Sequence, residues 1–461
     1  MRCAWRSRRA ELRTLRGACR GARWRSPPRP SEGCWIKDAT AARRAALQML
    51  QAVRSGATFA AARDRHLPGL AERDRRLAYQ LAAGVLRTQA DLDRVLALAT
   101  ADPRVHDVLR LGAYQLRALA RVPAHAAVST SVELARETAG ERGAGYVNHV
   151  LRRLSRDAGC GMRDAVETHP AWLLKRWRMR FGESDTERLV SWNDTKPPFT
   201  LQPIRWTSET LRTRLQDVGC GVQDAPFGAG LRVLRGKDAS RIPHPAQFPG
   251  YTEGAFIVQD PAHALVCGYA AIPRGALVYD ACAAPGGKAV MLERLGARVV
   301  AGDARRDRMG PLAHTARRAG VAIRLTVADL LSAPFAAGAL AAVLVDAPCT
   351  ATGTMARHPD ARWRIAARAI ARAAIRQRAL LEAAACLVQP GGLLVYATCS
   401  LEPEENSDVV TGFLERHPEF QRDALAGTVP AELLTGEGDF QSLPQRHGVD
   451  GAYAARLRRV R

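Results

Sequence analysis

The stretch Asp280-Ala281-Cys282-Ala283-Ala284-Pro285-Gly286-Gly287-Lys288 constrains the chain most, because it joins a segment that reads as a strand to one that reads as a helix. Ala276-Leu277-Val278-Tyr279 is β-compatible and follows the breakers Pro273 and Gly275, whereas Ala289 to Leu295 carries strong helix formers. Strand, glycine turn and helix form the first unit of a doubly wound α/β domain. Adjacent glycines let the backbone approach a ligand closely, and the free N–H groups of a helix start suit an anion or carboxylate. There is neither a G-x-G-x-x-G fingerprint nor the spacer of a P-loop. Arg298-Val299-Val300-Ala301-Gly302-Asp303 reads as a second strand, ending in a carboxylate placed to accept ribose hydroxyls. A nucleoside without a phosphate chain is the ligand this predicts. An ordinary crossover with a glycine turn fits this unit alone about as well, so the strands further along the chain have to decide.

Ile323 to Val327 reads as a third strand with Asp329 just beyond it, an acid suited to an adenine edge. Ala341 to Val345 reads as a buried parallel strand delivering Asp346-Ala347-Pro348-Cys349 to the same edge of the sheet. A long helix with Gln377, Leu380, Leu381, Ala384, Leu387 and Val388 on one face comes next, closed by Pro390-Gly391-Gly392. The strand after it, Leu393 to Ala397, presents Thr398-Cys399-Ser400. In open α/β sheets ligands sit outside the carboxyl ends of the strands, which is where both cysteines are expected. Two thiols there match the needs of methylation at C5 of a cytosine, a carbon that is unreactive until a thiolate adds to C6. A carboxyl group such as Asp346 can hold charge at the N3 side of the ring. Residue types alone do not rank Cys349 against Cys399.

The formal charge of +23 favours a polyanionic partner, although arginine supplies nearly all of it. Ten cysteines without a C-x-x-C pair suggest a reducing, intracellular compartment, and no metal site is expected. No apolar run reaches membrane-spanning length, so no membrane partner is expected. Residues 1–38 are arginine-rich, contain Pro27-Pro28 and Pro30, and read as a disordered basic tail. Residues 39–160 read as helical, with Val105, Val108, Leu109, Gly112, Leu116 and Leu119 on one face and Asp102-Pro103 at a helix start. Residues 161–247 read as a small α/β linker domain, with strands at Phe199-Thr200-Leu201 and Leu231 to Leu234 around a helix from Ser208 to Val218. Its Trp172, Trp177 and Trp192 are read as core anchors before base-stacking platforms. Residues 248–461 complete the doubly wound domain.

Three groups of motifs carry a resemblance. Leu109 to Leu116 and Val147 to Leu154 resemble the NusB-like RNA-binding fold, where Arg152 and Arg153 are candidate RNA contacts. Asp280 to Lys288, Asp346 to Gly353, Arg357-His358-Pro359-Asp360, and Tyr396 to Ser400 with Glu404-Glu405-Asn406 are similar to the RNA cytosine-C5 methyltransferases. Together they resemble the branch of that family acting on 16S small-subunit ribosomal RNA. The resemblance implies an S-adenosylmethionine-dependent methyltransferase domain behind an all-helical NusB-like domain and a linker domain. Cys399 would be the nucleophile, Cys349 would assist release of the methylated base, and Asp346 would support the reaction. Cys282, Ala283, Ala284, Pro285, Gly286, Gly287, Lys288, Asp303, Asp329 and Asp346 would line the S-adenosyl-L-methionine site. A cytoplasmic monomer with ribosomal RNA as partner is the accompanying expectation; transfer RNA methylation and a non-catalytic assembly role are the alternatives. The chain departs from the family pattern at Thr350, where serine is usual, at Gln202-Pro203-Ile204, where an Arg-Val-Asn phrase is usual, and at Ala452, where an aromatic is usual.

Overall fold

The computed structural model describes residues 32–96, 102–156, 168–234, 245–423 and 427–460, with side chains from residue 40 onward. Among the described residues, five helices come first: α1 (Glu32–Arg54), α2 (Phe59–His66), α3 (Glu72–Leu96), α4 (Pro103–Ala118) and α5 (Ala124–Arg156). The helix α1 begins inside the stretch expected to be a tail, and the rest of that tail, residues 1–31, lies outside the described residues. At the start of α4, Asp102 accepts the Arg104 N–H at 2.9 Å and Pro103 occupies the first turn, where its missing donor costs nothing. The predicted apolar face of α4 is buried at Val105, Val108, Leu109 and Gly112. Each large apolar side chain so buried contributes about 1.5–3 kcal/mol. A Cβ at Gly112 would meet Leu151 Cδ1 at 2.4 Å, so glycine sets how closely α4 and α5 approach.

Two helices, α6 (Ala171–Phe181) and α7 (Glu183–Asp194), lead into a four-stranded antiparallel sheet. Its strands are β1 (Phe199–Pro203), β2 (Val222–Asp224), β3 (Leu231–Val233) and β4 (Phe256–Val258), in the order β2-β3-β1-β4, with α8 (Ser208–Asp217) between the first two in sequence. Because β4 pairs with β1, this sheet extends past the expected boundary at residue 247. Its core, including Leu211, Leu215, Phe248 and Phe256, draws in the segment that reads in sequence as a mere lead-in. Trp177 is fully buried, as its core reading requires, and packs with Met355 and Leu401 of the following domain. Gln202 is also buried and donates to the Ala229 carbonyl at 3.0 Å, so this departure from the family phrase serves the linker's own packing.

The last domain alternates α9 (Pro261–Ala270), β5 (Leu277–Asp280), α10 (Gly287–Arg294), β6 (Arg298–Asp303), α11 (Met309–Ala319), β7 (Arg324–Val327) and β8 (Leu340–Asp346). Then come α12 (Ala361–Arg364), α13 (Ala367–Leu387), β9 (Val388–Thr398), α14 (Ser407–Arg416), β10 (Phe420–Arg422), β11 (Phe440–Ser442), α15 (Pro444–His447) and β12 (Ala452–Arg459). The strand order is β10-β12-β9-β8-β5-β6-β7, with β11 on β12; β5 to β9 run parallel and β12 runs antiparallel to β9. Pro390-Gly391-Gly392, expected to close a helix, lie inside β9 beside an irregularity in its pairing with β8. Alternate residues enter two cores: Val278, Leu344 and Val395 face α9 to α11, whereas Tyr279, Val345 and Tyr396 face α13 and α14. That is the period of two expected for strands covered on both faces.

A segment of this domain also seats the helical one. The Phe59 N–H donates to Asp360 Oδ2 at 3.1 Å, Trp363 Nε1 donates to the Leu86 carbonyl at 2.7 Å, and Arg87 donates to the Ala356 carbonyl at 3.0 Å. Arg362 is fully buried, with its guanidinium on Asp194 at 2.6 Å and on the Asn193 carbonyl at 2.8 Å.

Candidate active site

Sheet order changes direction at β5, which has β6 on one side and β8 on the other, and a crevice opens at such a switch point. The glycine turn leaves β5 there. Gly286 has φ +106°, which strains any other residue, and a Cβ on it would reach within 2.7 Å of Leu312 Cδ1 and force that side chain to shift. Lys288, at the start of α10, is buried and donates at 2.6 Å to Oδ2 of Asp346, the last residue of β8. Its other neighbour is His263 Nδ1 at 3.2 Å. Burial pulls the Lys288 ammonium down and the Asp346 carboxylate more than offsets this, so the lysine stays charged. His263, enclosed and beside that charge, is held well below the usual imidazole range and therefore stays neutral.

Acids stand at the ends of consecutive strands. Asp280 ends β5 and is fully enclosed; burial, followed by the charge of Asp346, lifts its carboxyl to about 7. Asp303 ends β6, accepts the Arg305 N–H at 2.9 Å and lies 3.1 Å from the Arg308 guanidinium, which also donates to the Ala284 carbonyl of the glycine turn at 2.5 Å. Asp329, just past β7, is exposed and accepts the Leu331 N–H at 3.1 Å. Cys282 is surrounded by Asp280, Asp346 and Asp303, and burial before those charges pushes its thiol up to about 12. It is a protonated wall residue.

The other two thiols differ in setting. Asp346 pairs with Ala397 in the parallel β8–β9 register, so the loops leaving these strands run side by side. Cys349 and Cys399 meet there with their sulfurs 3.1 Å apart, both half-buried. The adjacent Cys399 sulfur, then burial, holds the Cys349 thiol well above its ordinary value.

All the predicted site residues thus lie at one edge of the sheet. Sequence reasoning missed His263, Arg308 and the role of Glu405, whose buried carboxylate joins the two cysteine loops. The Glu404-Glu405-Asn406 phrase was visible, but its partners Thr350 and Gln377 come from elsewhere in the chain. Arg357 of the Arg-His-Pro-Asp phrase is structural, reaching Asp450 at 2.6 Å and Asp260 at 2.7 Å. Arg152 and Arg153 are exposed on α5 and line a shallow recess with Asn148 and His149.

The family description 16S rRNA methyltransferase RsmB/F matches residues 271–458, the NusB family matches residues 40–156, and the RsmF/B-like ferredoxin-like domain matches residues 169–239. The ribosomal RNA small subunit methyltransferase B of Vibrio cholerae is 35% identical over 404 residues, covering 84% of this chain and 89% of its own. The chain belongs to the RsmB/F family of 16S rRNA methyltransferases. A second RsmB/F relative, the probable ribosomal RNA small subunit methyltransferase B of Synechocystis, is 32% identical over 414 residues, covering 84% of this chain and 92% of its own. Among solved structures, PH0851 superposes with a TM-score of 0.76 at 24% identity, covering 91% of this chain and 98% of its own. NSun6 from Pyrococcus horikoshii with SFG has a TM-score of 0.53 at 19% identity, covering 63% of this chain and 98% of its own. These two likenesses concern the fold. The RsmB/F assignment accounts for the helical domain, the small sheet and the doubly wound domain in that order.

Proposed function

We propose that this chain transfers a methyl group from S-adenosylmethionine to C5 of a cytosine in 16S ribosomal RNA, with Cys399 as nucleophile and Cys349 assisting release. The observation that carries the reading is the contact of the two sulfurs, 3.1 Å apart on adjacent strand ends, beside the Lys288–Asp346 pair. The donor set suits the methyl donor. Asp303 and Asp329 end neighbouring strands, where carboxylates can accept from ribose hydroxyls and an adenine amine, and the start of α10 offers N–H groups to a carboxylate. Bound there, S-adenosylmethionine supplies an electrophilic sulfonium methyl.

The chain's own residues do the rest. The Cys399 sulfur adds to C6 of the cytosine, which places electron density on C5. Lys288, charged and buried, fixes Asp346, whose side chain is 32% exposed and so remains able to meet the base. After methylation the C5 proton passes to solvent, its C–H electron pair re-forms the C5–C6 double bond, and the C6–sulfur bond breaks with its pair returning to the Cys399 sulfur. Cys349, the neighbouring thiol, assists that departure.

The family relatives' action on small-subunit ribosomal RNA supports the same choice of substrate for this chain, and with it a cytoplasmic location. The test is to map 5-methylcytosine across the RNA of cells lacking the protein and to restore the gene as wild type or Cys399→Ala. One position in 16S RNA should lose its mark and regain it only with wild type. Restoration by Cys399→Ala at the wild-type rate would falsify the nucleophile, and a mark lost from transfer RNA alone would refute the substrate.

A further inference from the structure

The two cysteine loops are joined by a single acid that the methyl-transfer chemistry does not use. Glu405 is fully buried, and among the described residues no cation is one of its hydrogen-bond partners. One carboxylate oxygen accepts the Thr350 N–H at 2.9 Å and the Gln377 amide N–H at 2.9 Å. Its other oxygen accepts the Ser400 hydroxyl at 2.7 Å and the Thr350 hydroxyl. Thr350 follows Cys349 and Ser400 follows Cys399, so the residue after each thiol is pegged to the same side chain. The Gln377 amide also donates to the Pro348 carbonyl at 3.0 Å, holding the other side of Cys349. Glu405 is itself fixed by its carbonyl, which accepts the Tyr396 hydroxyl at 2.6 Å, and by its neighbour Asn406, whose amide donates to the Ser400 carbonyl at 2.8 Å.

Burying a carboxylate without a counter-charge is costly, and four donors are what make it tolerable. A chain needing only a stable loop could use an apolar residue here at less expense. We propose that Glu405 is a positioning residue for methyl transfer, pegging the Cys349 and Cys399 loops so that the two sulfurs stay in contact. This rests on the assignment of the two cysteines to the reaction and adds to it the element that sets their spacing. The fixed donors lie on one oxygen and the rotatable hydroxyls on the other. A glutamine can therefore replace Glu405 with its carbonyl towards the two N–H groups and its amide towards the hydroxyls, keeping every peg without the charge.

The test uses the full-length protein and two readouts. The first is steady-state methylation of 16S RNA, with denaturing gels for the covalent protein–RNA adduct. The second is the yield of a Cys349–Cys399 cross-link when the RNA-free protein is treated with diamide, which oxidises the two thiols to a disulfide as it is reduced to the hydrazine, mapped by peptide mass spectrometry. For Glu405→Ala we expect kcat to fall about 10²-fold with KM for RNA changed less than about threefold, since misplacing a reacting group by about 1 Å has that effect. Adduct should accumulate and the cross-link yield should drop. Glu405→Gln should recover both readouts to within about threefold of wild type. If Glu405→Ala does not fold, Glu405→Asp takes its place: it keeps the charge, is one methylene too short to reach both loops, and should show the same losses. Wild-type cross-linking and kcat in the shortened or truncated variant would overturn the proposal, as would a folded Glu405→Gln no better than alanine. Because cross-linking needs no RNA, it judges Glu405 even where Cys399→Ala shows the cysteine assignment to be wrong.

Discussion

Cys349 and Cys399 are separated by 50 positions in the chain, yet their sulfurs touch at 3.1 Å because β8 and β9 are parallel neighbours that end together. If the thiols divide the work, attack by one and release by the other, removing each should stop the reaction at a different point. For Cys349→Ala the expected outcome is a covalent protein–RNA adduct that persists on a denaturing gel and turnover lowered by about 10²-fold or more. Cys399→Ala should give no adduct.

Asp280 offers a test by pH. Burial and the charge of Asp346 lift its carboxyl from 3.8 to about 7 in the folded chain. Between those values the native state binds a proton that the unfolded chain lacks, so the Asp280 contribution makes stability fall as pH rises through this window and level off above it. The whole effect is on the order of 4 kcal/mol. Asp280→Asn should therefore be stabilised relative to wild type more at pH 8 than at pH 4.5, measured by urea unfolding at both. An equal difference at the two pH values would contradict the enclosed, reluctantly ionised carboxyl.

Arg357 ties together three parts of the chain. It binds Asp260 ahead of α9, Asp450 ahead of β12, and the Pro198 carbonyl ahead of β1 at 3.1 Å. Arg357→Ala leaves two buried carboxylates facing each other and should cost about 3–5 kcal/mol. The expected signs are a lower thermal midpoint and faster amide exchange in β1 and β12; unchanged exchange there would mean the pairs add nothing.

Trp363 anchors the helical domain through its indole N–H on the Leu86 carbonyl and its packing against that domain's core. Trp363→Ala should weaken this docking by about 3 kcal/mol. Hydrogen exchange should then quicken along α3 near Leu86 while β5, β6 and β8 keep wild-type protection. Equal protection on both sides would show that the ring does not anchor the domain.

Much of the catalytic architecture is legible in the residues themselves. Apolar runs ending in Asp280, Asp303 and Asp346 each form a parallel strand, because a buried strand must be apolar and its carboxyl end is where polar residues can resume. The Asp-Pro start and one-sided apolar stripe of α4 are equally plain, both being local signals. What escapes depends on distant partners. Phe256–Val258 is too short to show alternation and is a strand only because β1 lies beside it. Pro390-Gly391-Gly392 reads as a helix stop, yet the strand begins before it, at Val388, since pairing with β8 overrides the local breakers. Asp360 meets the Phe59 amide across 301 positions, a relation no window along the chain contains. Glu405 looks like one acid in a charged phrase, and its burial becomes visible only when four donors from three places converge on it.

The seat formed by Asp360 and Trp363 belongs to the same connection that, eleven residues before Asp360, holds Cys349. Excising the N-terminal helices would strip the cover from an indole and from a carboxylate that now receives a main-chain amide. The catalytic half of this chain is therefore shaped as one member of a pair, and a truncated form would need its own surface rebuilt before it could stand alone.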